Sequence, residues 1–260
     1  MSSRSRQRVN YDTIAHIYDE PLRDYDVDAN LIAYLNTKPH TQLSDVRILD
    51  LGCGTGKQLT ANRERFPALS MTGLDLFRGM LQQARKRCTS VHWVQGNSAG
   101  PPFRDNSFDY VTNQFSYSHV LDKRGLIQGT HRILKSGGRF AITHIDPWSM
   151  ADWILYRFFP AARERDFQDF LPVDEIVATM ARAGFCNMHV DRQYRQDKED
   201  AKEFLRYASQ RHRTSQLMVI QDRDYEAGIA RLGRMVEDSG ANRQVDSEFC
   251  LVTVLADKGV

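Results

Sequence analysis

The chain has 260 residues, of which 41% are hydrophobic, and its formal net charge is +2. This length allows one large domain with its own core, and the interspersed charges favour small or neutral partners over nucleic acid or stable membrane insertion. Because no apolar run reaches roughly twenty residues and the four scattered cysteines form no CxxC pair, we expect a cytoplasmic protein without a metal site or disulfide framework.

An N-terminal helical cap is predicted over residues 1–45, where Leu31, Ile32 and Leu35 form an apolar stripe. From there to residue 146, short apolar strands alternate with amphipathic segments, as in βα units around a parallel sheet. The five strands of this core are predicted over 46–51, 70–76, 91–95, 108–113 and 139–145. A helix over 121–134 precedes the fifth strand, and Gly137-Gly138 is expected to end it.

The rest of the chain completes the sheet. After an aromatic-rich segment at 147–172, the region 173–260 is predicted to begin with a helix over 173–184 and a strand over 186–190. A helical insertion follows over about 193–245, and a last strand is predicted over 248–255. The insertion contains two amphipathic patterns. The expected fold is α/β: a Rossmann-like, doubly wound, seven-stranded, mostly parallel sheet with helical lid elements at the N-terminus and between the late strands.

A glycine-rich turn follows the first strand. In Asp50-Leu51-Gly52-Cys53-Gly54-Thr55-Gly56, glycines at alternate positions allow a tight turn and close approach of the backbone to a ligand. Asp75, at the end of the second strand, is placed to accept hydrogen bonds from both hydroxyls of a ribose. A nucleoside ligand is therefore predicted. A dinucleotide fold remains an alternative, although Lys57 stands where the GxGxxG fingerprint requires glycine.

The segment Ile48-Leu49-Asp50-Leu51-Gly52-Cys53-Gly54-Thr55-Gly56 resembles the first motif of class I S-adenosylmethionine-dependent methyltransferases. The resemblance extends over residues 11–146 and includes Gly96-Asn97-Ser98. The family usually has aspartate in place of Asn97. The alternative is that Asn97 and Ser98 shape a turn and do not bind the cofactor. It implies S-adenosylmethionine as cofactor and S-adenosylhomocysteine as product. The residues that it implies for cofactor binding are Asp50, Gly52, Cys53, Gly54, Gly56, Asp75, Leu76, Asn97, Ser98, Gln114 and Tyr18.

Catalytic candidates lie after the fourth and fifth strands, where ligands of open α/β sheets bind. His119 is the first candidate for a general base, because imidazole titrates near neutral pH, and Tyr117 lies in the same loop. His144 and Asp146 alternate along the fifth strand, which would allow a His–Asp pair. Alternatively, either histidine could form a hydrogen bond at the start of a helix or in the core. No local spacing of histidines and carboxylates supports a metal site.

The aromatic segment 147–172 predicts either a substrate pocket or a helix packed on the domain, with an interfacial lipid patch anchored by Trp153 and Tyr156 as a third option. The sequence resembles the group that contains quinone C-methyltransferases and natural-product methyltransferases. It therefore predicts methyl transfer to a small, apolar or aromatic acceptor by in-line displacement. The alternatives are an RNA or protein methyltransferase, or a non-methylating cyclase or binding protein. The oligomeric state stays open.

Overall fold

The computed structural model describes residues 9–19, 25–239 and 243–259. Within these residues, seven strands form one sheet in the order β3-β2-β1-β4-β5-β7-β6. The strands are β1 (Arg47–Leu51), β2 (Ser70–Asp75), β3 (His92–Gln95), β4 (Phe108–Gln114), β5 (Leu134–Ile145), β6 (Phe185–Asp200) and β7 (Gln244–Lys258).

The sheet is mixed but mostly parallel. The pairs β1–β2, β1–β4, β2–β3 and β4–β5 are all parallel. Strand β7 runs antiparallel to β5, because Arg139 pairs with Asp257 whereas Thr143, further along β5, meets Thr253, earlier in β7. The predicted Rossmann-like sheet is therefore confirmed, and the carboxyl ends of β1, β2, β4 and β5 share one edge.

Helices connect the strands. They are α1 (Ala29–Leu35), α2 (Lys57–Arg65), α3 (Arg78–Arg87), α4 (Lys123–Ile133), α5 (Ile154–Phe158), α6 (Pro160–Asp169), α7 (Val173–Arg182), α8 (Ala201–Ala208), α9 (Ser215–Val219) and α10 (Asp222–Ser239). Short 3-10 turns lie at Tyr11–Thr13, His40–Asp45, Tyr117–His119, Pro147–Ser149 and Arg211–Arg213. The insertion predicted as two helices thus contains α8, α9 and α10.

The start of β5 differs from its prediction. The strand begins at Leu134, directly after α4, so the two glycines at 137 and 138 lie within β5 and do not end the helix. Leu134 pairs with Phe108, but the next pair is Arg139 with Tyr110, so the intervening residues loop out. Gly137, with a φ of 72°, accommodates this bulge. Strands β6 and β7 also extend beyond their predicted ends.

The described chain forms two compact units. The sheet unit contains Asn10–His144, Val173–Asp191 and the end of β7 from Val252 onward. The helical unit contains Ile145–Pro172 and Arg192–Leu251. In the sheet unit the central strand β1 is buried from Ile48 to Leu51, which explains its apolar sequence.

The aromatic segment packs mainly inside the helical unit. Tyr156 is only 3% exposed, and Trp153 makes edge contacts with Tyr156 and Phe249. Tyr156 is therefore too deeply buried to anchor the chain in a lipid interface, whereas Trp153 is half-buried and its contact with lipid stays an open option. The rings that remain exposed in this segment are Trp148 and Phe167. Across the described residues, no helix is both long and apolar enough to span a membrane.

Candidate functional site

The glycine-rich turn between β1 and α2 is held by hydrogen bonds from its own backbone. The amides of Gly52 and Cys53 both donate to the carbonyl of Leu74 on β2, at 2.7 and 3.1 Å, and the Gly56 amide donates to Cys53 at 2.9 Å. All three glycines of the turn have positive φ, a conformation that favours glycine. The turn therefore allows a ligand to approach its backbone closely. The amides of Gly52, Cys53 and Gly56 already donate hydrogen bonds within the protein.

The end of β4 fixes the start of this turn. The carbonyl of Leu51 accepts hydrogen bonds from Asn113 Nδ2 at 2.7 Å and from Ser116 Oγ at 2.9 Å. A Cβ atom at Gly52 would collide with the Ser116 side chain, so only glycine fits beside it. The two loops at the carboxyl ends of β1 and β4 are thus locked together.

Asp75 connects β2 to the glycine turn. Its Oδ2 accepts a hydrogen bond from the Gly54 amide at 2.8 Å, and its Oδ1 accepts one from the Phe77 amide at 2.9 Å. Burial raises the pKa of this carboxyl. The Leu76 amide also acts on this carboxyl. Since a carboxylate offers about four acceptor positions, Asp75 keeps acceptor capacity for a diol such as that of a ribose.

Asp50 is a buried carboxylate below the turn. It is 4% exposed, and its Oδ1 has no hydrogen-bond partner among the described residues. Burial, together with the negative charges of Asp28 and Asp75, raises the pKa of Asp50 to about 8. Three carboxyl groups therefore lie close together at this edge, an environment that favours a cationic ligand.

Asp28 brings the N-terminal region into the same cluster. Its carboxylate caps α1 by accepting from the Asn30 amide at 2.9 Å and also accepts the Tyr110 hydroxyl at 2.9 Å. The side chain of Gln114, a predicted cofactor residue at the end of β4, helps to lower the pKa of Asp28, although burial raises it overall. The sequence analysis missed Asp28, because its partners on β4 are more than eighty residues away and no local motif surrounds it.

The segment from Tyr11 to Asp19 packs along the same edge. Asp12 Oδ1 accepts a hydrogen bond from the Gly79 amide at 2.6 Å, next to the end of β2. Asp19 forms ion pairs with Lys57 and Arg87 and accepts the Thr55 hydroxyl, which ties it to the end of the glycine turn. Between these two anchors, the ring of Tyr18 is partly exposed.

The residues predicted for the adenine side follow β2 and β3. Leu76, directly after Asp75, is 56% exposed, so its side chain is available to a ligand. The side-chain oxygen of Asn97 accepts a hydrogen bond from the Ala99 amide at 2.9 Å, and Ser98 is buried. Asn97 thus shapes a turn in this structure, and its contact with adenine stays a prediction.

Cys53 is buried in the turn. Burial is the main cause that raises the pKa of its thiol well above the usual value. Its side chain lies against Gly73 on β2, where a Cβ atom would come within 2.8 Å of the sulfur. Only the backbone of Cys53 is therefore suited to face a ligand.

His119 and Tyr117 lie in the 3-10 turn after β4. His119 Nε2 is 2.9 Å from the hydroxyl of Tyr11, and the two rings also make an edge contact. Tyr117 is fully buried and stacks on His144 of β5, with ring centroids 5.3 Å apart. The sequence analysis did not predict that Tyr11 pairs with His119, since 108 residues separate them.

Asp146 accepts several hydrogen bonds near its own position in the chain. Its Oδ1 accepts from the Trp148 amide at 3.2 Å, and its Oδ2 accepts from Ser149 Oγ at 2.8 Å and Arg192 Nε at 3.2 Å. Asp146 therefore caps the turn at Pro147–Ser149 and pairs with an arginine, and its pairing with His144 stays a prediction. Among the described residues, no group of His, Cys, Asp or Glu side chains could hold a metal ion.

These features fit S-adenosylmethionine. The remaining acceptor positions of Asp75 suit a ribose, the glycine turn leaves room for the backbone to approach, and the buried carboxyls of Asp50 and Asp28 suit a ligand with cationic groups. A dinucleotide, whose pyrophosphate is anionic, fits this electrostatic environment less well.

Comparisons with known proteins agree with this assignment. A family model for a methyltransferase domain matches residues 49–142. A demethylmenaquinone methyltransferase of Thermotoga maritima is 29% identical, and the match covers 65% of this chain and 86% of that protein. The ubiquinone/menaquinone biosynthesis C-methyltransferase UbiE of Klebsiella pneumoniae is 32% identical, and the match covers 59% of this chain and 69% of that protein.

A solved structure supports the fold. Phosphoethanolamine N-methyltransferase 2 of Haemonchus contortus, in complex with phosphomonomethylethanolamine and S-adenosylhomocysteine, matches with a TM-score of 0.60 at 21% identity. The match covers 96% of this chain and 58% of that chain. At this identity the likeness shows the fold alone, whereas the sequence relatives show the family. The chain belongs to the S-adenosylmethionine-dependent methyltransferases that include the UbiE C-methyltransferases, and it transfers a methyl group to a small-molecule acceptor.

Proposed function

We propose that the acceptor is a hydroquinone and that the methyl group is transferred to one of its ring carbons. The Klebsiella pneumoniae relative is a C-methyltransferase of ubiquinone and menaquinone biosynthesis, and the Thermotoga maritima relative is a demethylmenaquinone methyltransferase. The observation that carries the proposal is the hydrogen bond between Tyr11 and His119, because it positions an imidazole at the edge where ligands of such sheets bind. C-methylation releases a proton, and a base at this edge of the sheet would accept it.

S-adenosylmethionine supplies the electrophilic methyl group. The carboxylate of Asp75 is assigned to the ribose hydroxyls, and the backbone of Gly52, Cys53, Gly54 and Gly56 would hold the cofactor. Asp50 and Gln114 are assigned to the cationic methionine end. Leu76, Asn97 and Ser98 are assigned to the adenine, and Tyr18 is assigned a cofactor contact from the N-terminal segment.

His119 is the proposed general base. As the ring carbon of the hydroquinone attacks the methyl group, the bond between that methyl group and the cofactor sulfur breaks, and an acceptor hydroxyl gives its proton to the imidazole. The new C–CH3 carbon then loses its hydrogen as a proton while the ring oxygen regains one, which restores the hydroquinone. The overall change is one C–H bond exchanged for one C–C bond with release of one proton. The Tyr11 hydroxyl orients the imidazole and can relay the proton.

Tyr117 and His144 are assigned positioning roles. Tyr117 belongs to the same turn as His119, and its ring is held between His144 and the ammonium group of Lys123, which lies 5.0 Å from the ring centroid. Burial is the main cause that raises the pKa of Tyr117, so its phenol stays protonated at neutral pH. These contacts fix the turn that presents His119.

The experiment is transfer of an isotope-labelled methyl group from S-adenosylmethionine to a panel of hydroquinones, phenols, amines and RNA. We expect labelled product from hydroquinones, with the label on carbon by mass spectrometry. Label on oxygen or nitrogen, or transfer only to amines or RNA, would contradict the proposal. In parallel, S-adenosylmethionine and S-adenosylhomocysteine should raise the melting temperature, whereas NAD should not.

A further inference from the structure

Phe115 has an unusual backbone conformation at the end of β4. Its φ is +56°, in the left-handed region that bulky side chains disfavour. The other two non-glycine residues with positive φ in the described chain are Asn106 and Asn187, and asparagine tolerates this region. Phe115 is thus the one bulky residue held there among the described residues.

Hydrogen bonds on both sides hold Phe115 in this conformation. Its amide donates to the carbonyl of Thr143 on β5 at 2.9 Å. On the other side, Asn113 and Ser116 both bind the carbonyl of Leu51 and also bind each other at 2.6 Å. The backbone at 115 is therefore pinned between the glycine turn and β5.

The ring of Phe115 does not serve the core. It is 49% exposed, in contrast to Tyr117 two residues later, which is fully buried. A glycine would adopt the same φ without strain, so the backbone does not require phenylalanine either. Backbone strain of this kind clusters at active sites and ligand clamps, so we expect the exposed ring of Phe115 to contact a ligand.

Its location indicates what that partner is. Phe115 lies at the carboxyl end of β4, one residue from Ser116, whose hydroxyl binds the glycine turn, and four residues before His119, the proposed base. Because Phe115 and His119 belong to the same short segment after β4, a ligand bound beside the proposed base would lie near the Phe115 ring. Planar rings stack on phenylalanine in offset or edge geometry.

We propose that Phe115 is a specificity-determining residue whose ring stacks on a planar aromatic methyl acceptor. This inference rests on the proposed function, because it places the acceptor beside His119. It goes further by assigning aromatic selectivity to one side chain. The strain at Phe115 keeps the ring at this edge before the acceptor arrives, so little ordering is required on binding.

The test uses full-length Phe115→Ala, Phe115→Gly and Phe115→Tyr with wild type as reference. The first readout is the Kd of 1-naphthol, a planar probe, for protein saturated with S-adenosylhomocysteine. We expect the Ala and Gly variants to bind it about three- to tenfold more weakly and the Tyr variant to bind within about twofold of wild type. The Kd of S-adenosylhomocysteine itself should stay within about twofold.

The melting temperatures of the variants distinguish a role of Phe115 in acceptor binding from a role in the stability of the fold. The Gly variant relieves the strain that the Ala variant retains, so its melting temperature should be higher than that of Phe115→Ala by about 2–4 °C. Both should nevertheless bind the probe equally weakly. Asn187→Gly is the matched control, because it changes another positive-φ residue to glycine and should leave probe binding unchanged.

Several results would overturn the inference. Unchanged probe binding in Phe115→Ala, or no probe binding by wild type, would show that the ring does not stack on an aromatic acceptor. Weaker binding of the cofactor with unchanged probe binding would place the ring on the cofactor. Failure of the proposed function is seen separately, as absent hydroquinone methylation by wild type. In variants that turn over, KM for the acceptor should rise while kcat changes less.

Discussion

The hydroxyl of Tyr11 lies 2.9 Å from Nε2 of His119, so the N-terminal segment completes the site at the end of β4. We expect Tyr11→Phe to lower kcat by roughly tenfold and His119→Ala by roughly a hundredfold, since a positioned acid–base group contributes on that order. The Phe variant keeps the edge contacts of the ring with Phe77 and His119, so the loss reports on the hydroxyl. Steady-state kinetics with the labelled methyl donor measures both.

The two changes should not be additive, because the hydroxyl acts through the imidazole. The double variant is therefore expected to be about as slow as His119→Ala alone. Tyr194→Phe, which removes the hydroxyl of an exposed tyrosine, is the control and should leave kcat unchanged. Wild-type turnover in Tyr11→Phe would rule out the assigned role of this hydroxyl.

Asp75→Asn tests the ribose assignment. The amide that replaces the carboxylate has one acceptor oxygen in place of two, so it cannot accept from Gly54, Phe77 and two ribose hydroxyls together. We expect affinity for S-adenosylhomocysteine to fall by roughly 10- to 100-fold, measured by calorimetry. Asp105→Asn changes a mostly exposed carboxylate and is the control. An unchanged affinity in Asp75→Asn would show that the ribose binds elsewhere.

Asp50 should make stability depend on pH. Its pKa is about 8 in the folded protein and 3.8 in the unfolded chain, so between these values the folded state holds a proton that the unfolded state has lost. The contribution of Asp50 to the free energy of unfolding is therefore full below about pH 4 and is lost as the pH rises towards 8. Asp50→Asn removes this titration.

Urea unfolding at pH 5, 6.5 and 8 measures the effect. We expect the stability of wild type, relative to Asp50→Asn, to fall steadily over this range. Asp105→Asn, which changes a mostly exposed carboxylate, is the control variant. A difference between wild type and Asp50→Asn that is constant with pH would contradict the raised pKa.

A buried pair in the helical unit predicts a loss of stability. The hydroxyl of Tyr156 donates to Oδ2 of the buried Asp166 at 2.7 Å. Tyr156→Phe leaves this carboxyl without that donor, so the free energy of unfolding should fall by about 1–3 kcal/mol. Tyr194→Phe, at an exposed tyrosine, should change it by less than about 0.5 kcal/mol. Chemical unfolding followed by circular dichroism compares the two, and equal effects would contradict the prediction.

Local patterns predicted the sheet and the glycine turn. Each parallel strand is a short apolar run, and the turn between β1 and α2 is a contiguous motif, so both could be read within a window of a few residues. The bulge at Gly137 was missed, because a glycine pair after a helix has the same sequence whether it ends the helix or lies inside the next strand.

The partners from the N-terminal segment could not be predicted in the same way. Tyr110 binds Asp28 across 82 positions, and Tyr11 meets His119 across 108. No periodicity or local motif encodes such pairs, because they arise only when the sheet brings distant residues to one edge. The aromatic segment shows the same limit, since its composition did not distinguish the buried Tyr156 from the exposed Trp148.

The anchoring of Asp19 to Lys57 and Arg87 has a consequence for the limits of the catalytic module. A module defined only by its strands and glycine turn would start at β1 and would lack Tyr11, Asp19 and Asp28. Any fragment that is meant to keep the candidate site should therefore include the segment before β1. We expect sequence changes in this segment to affect ligand binding as directly as changes in the glycine turn itself.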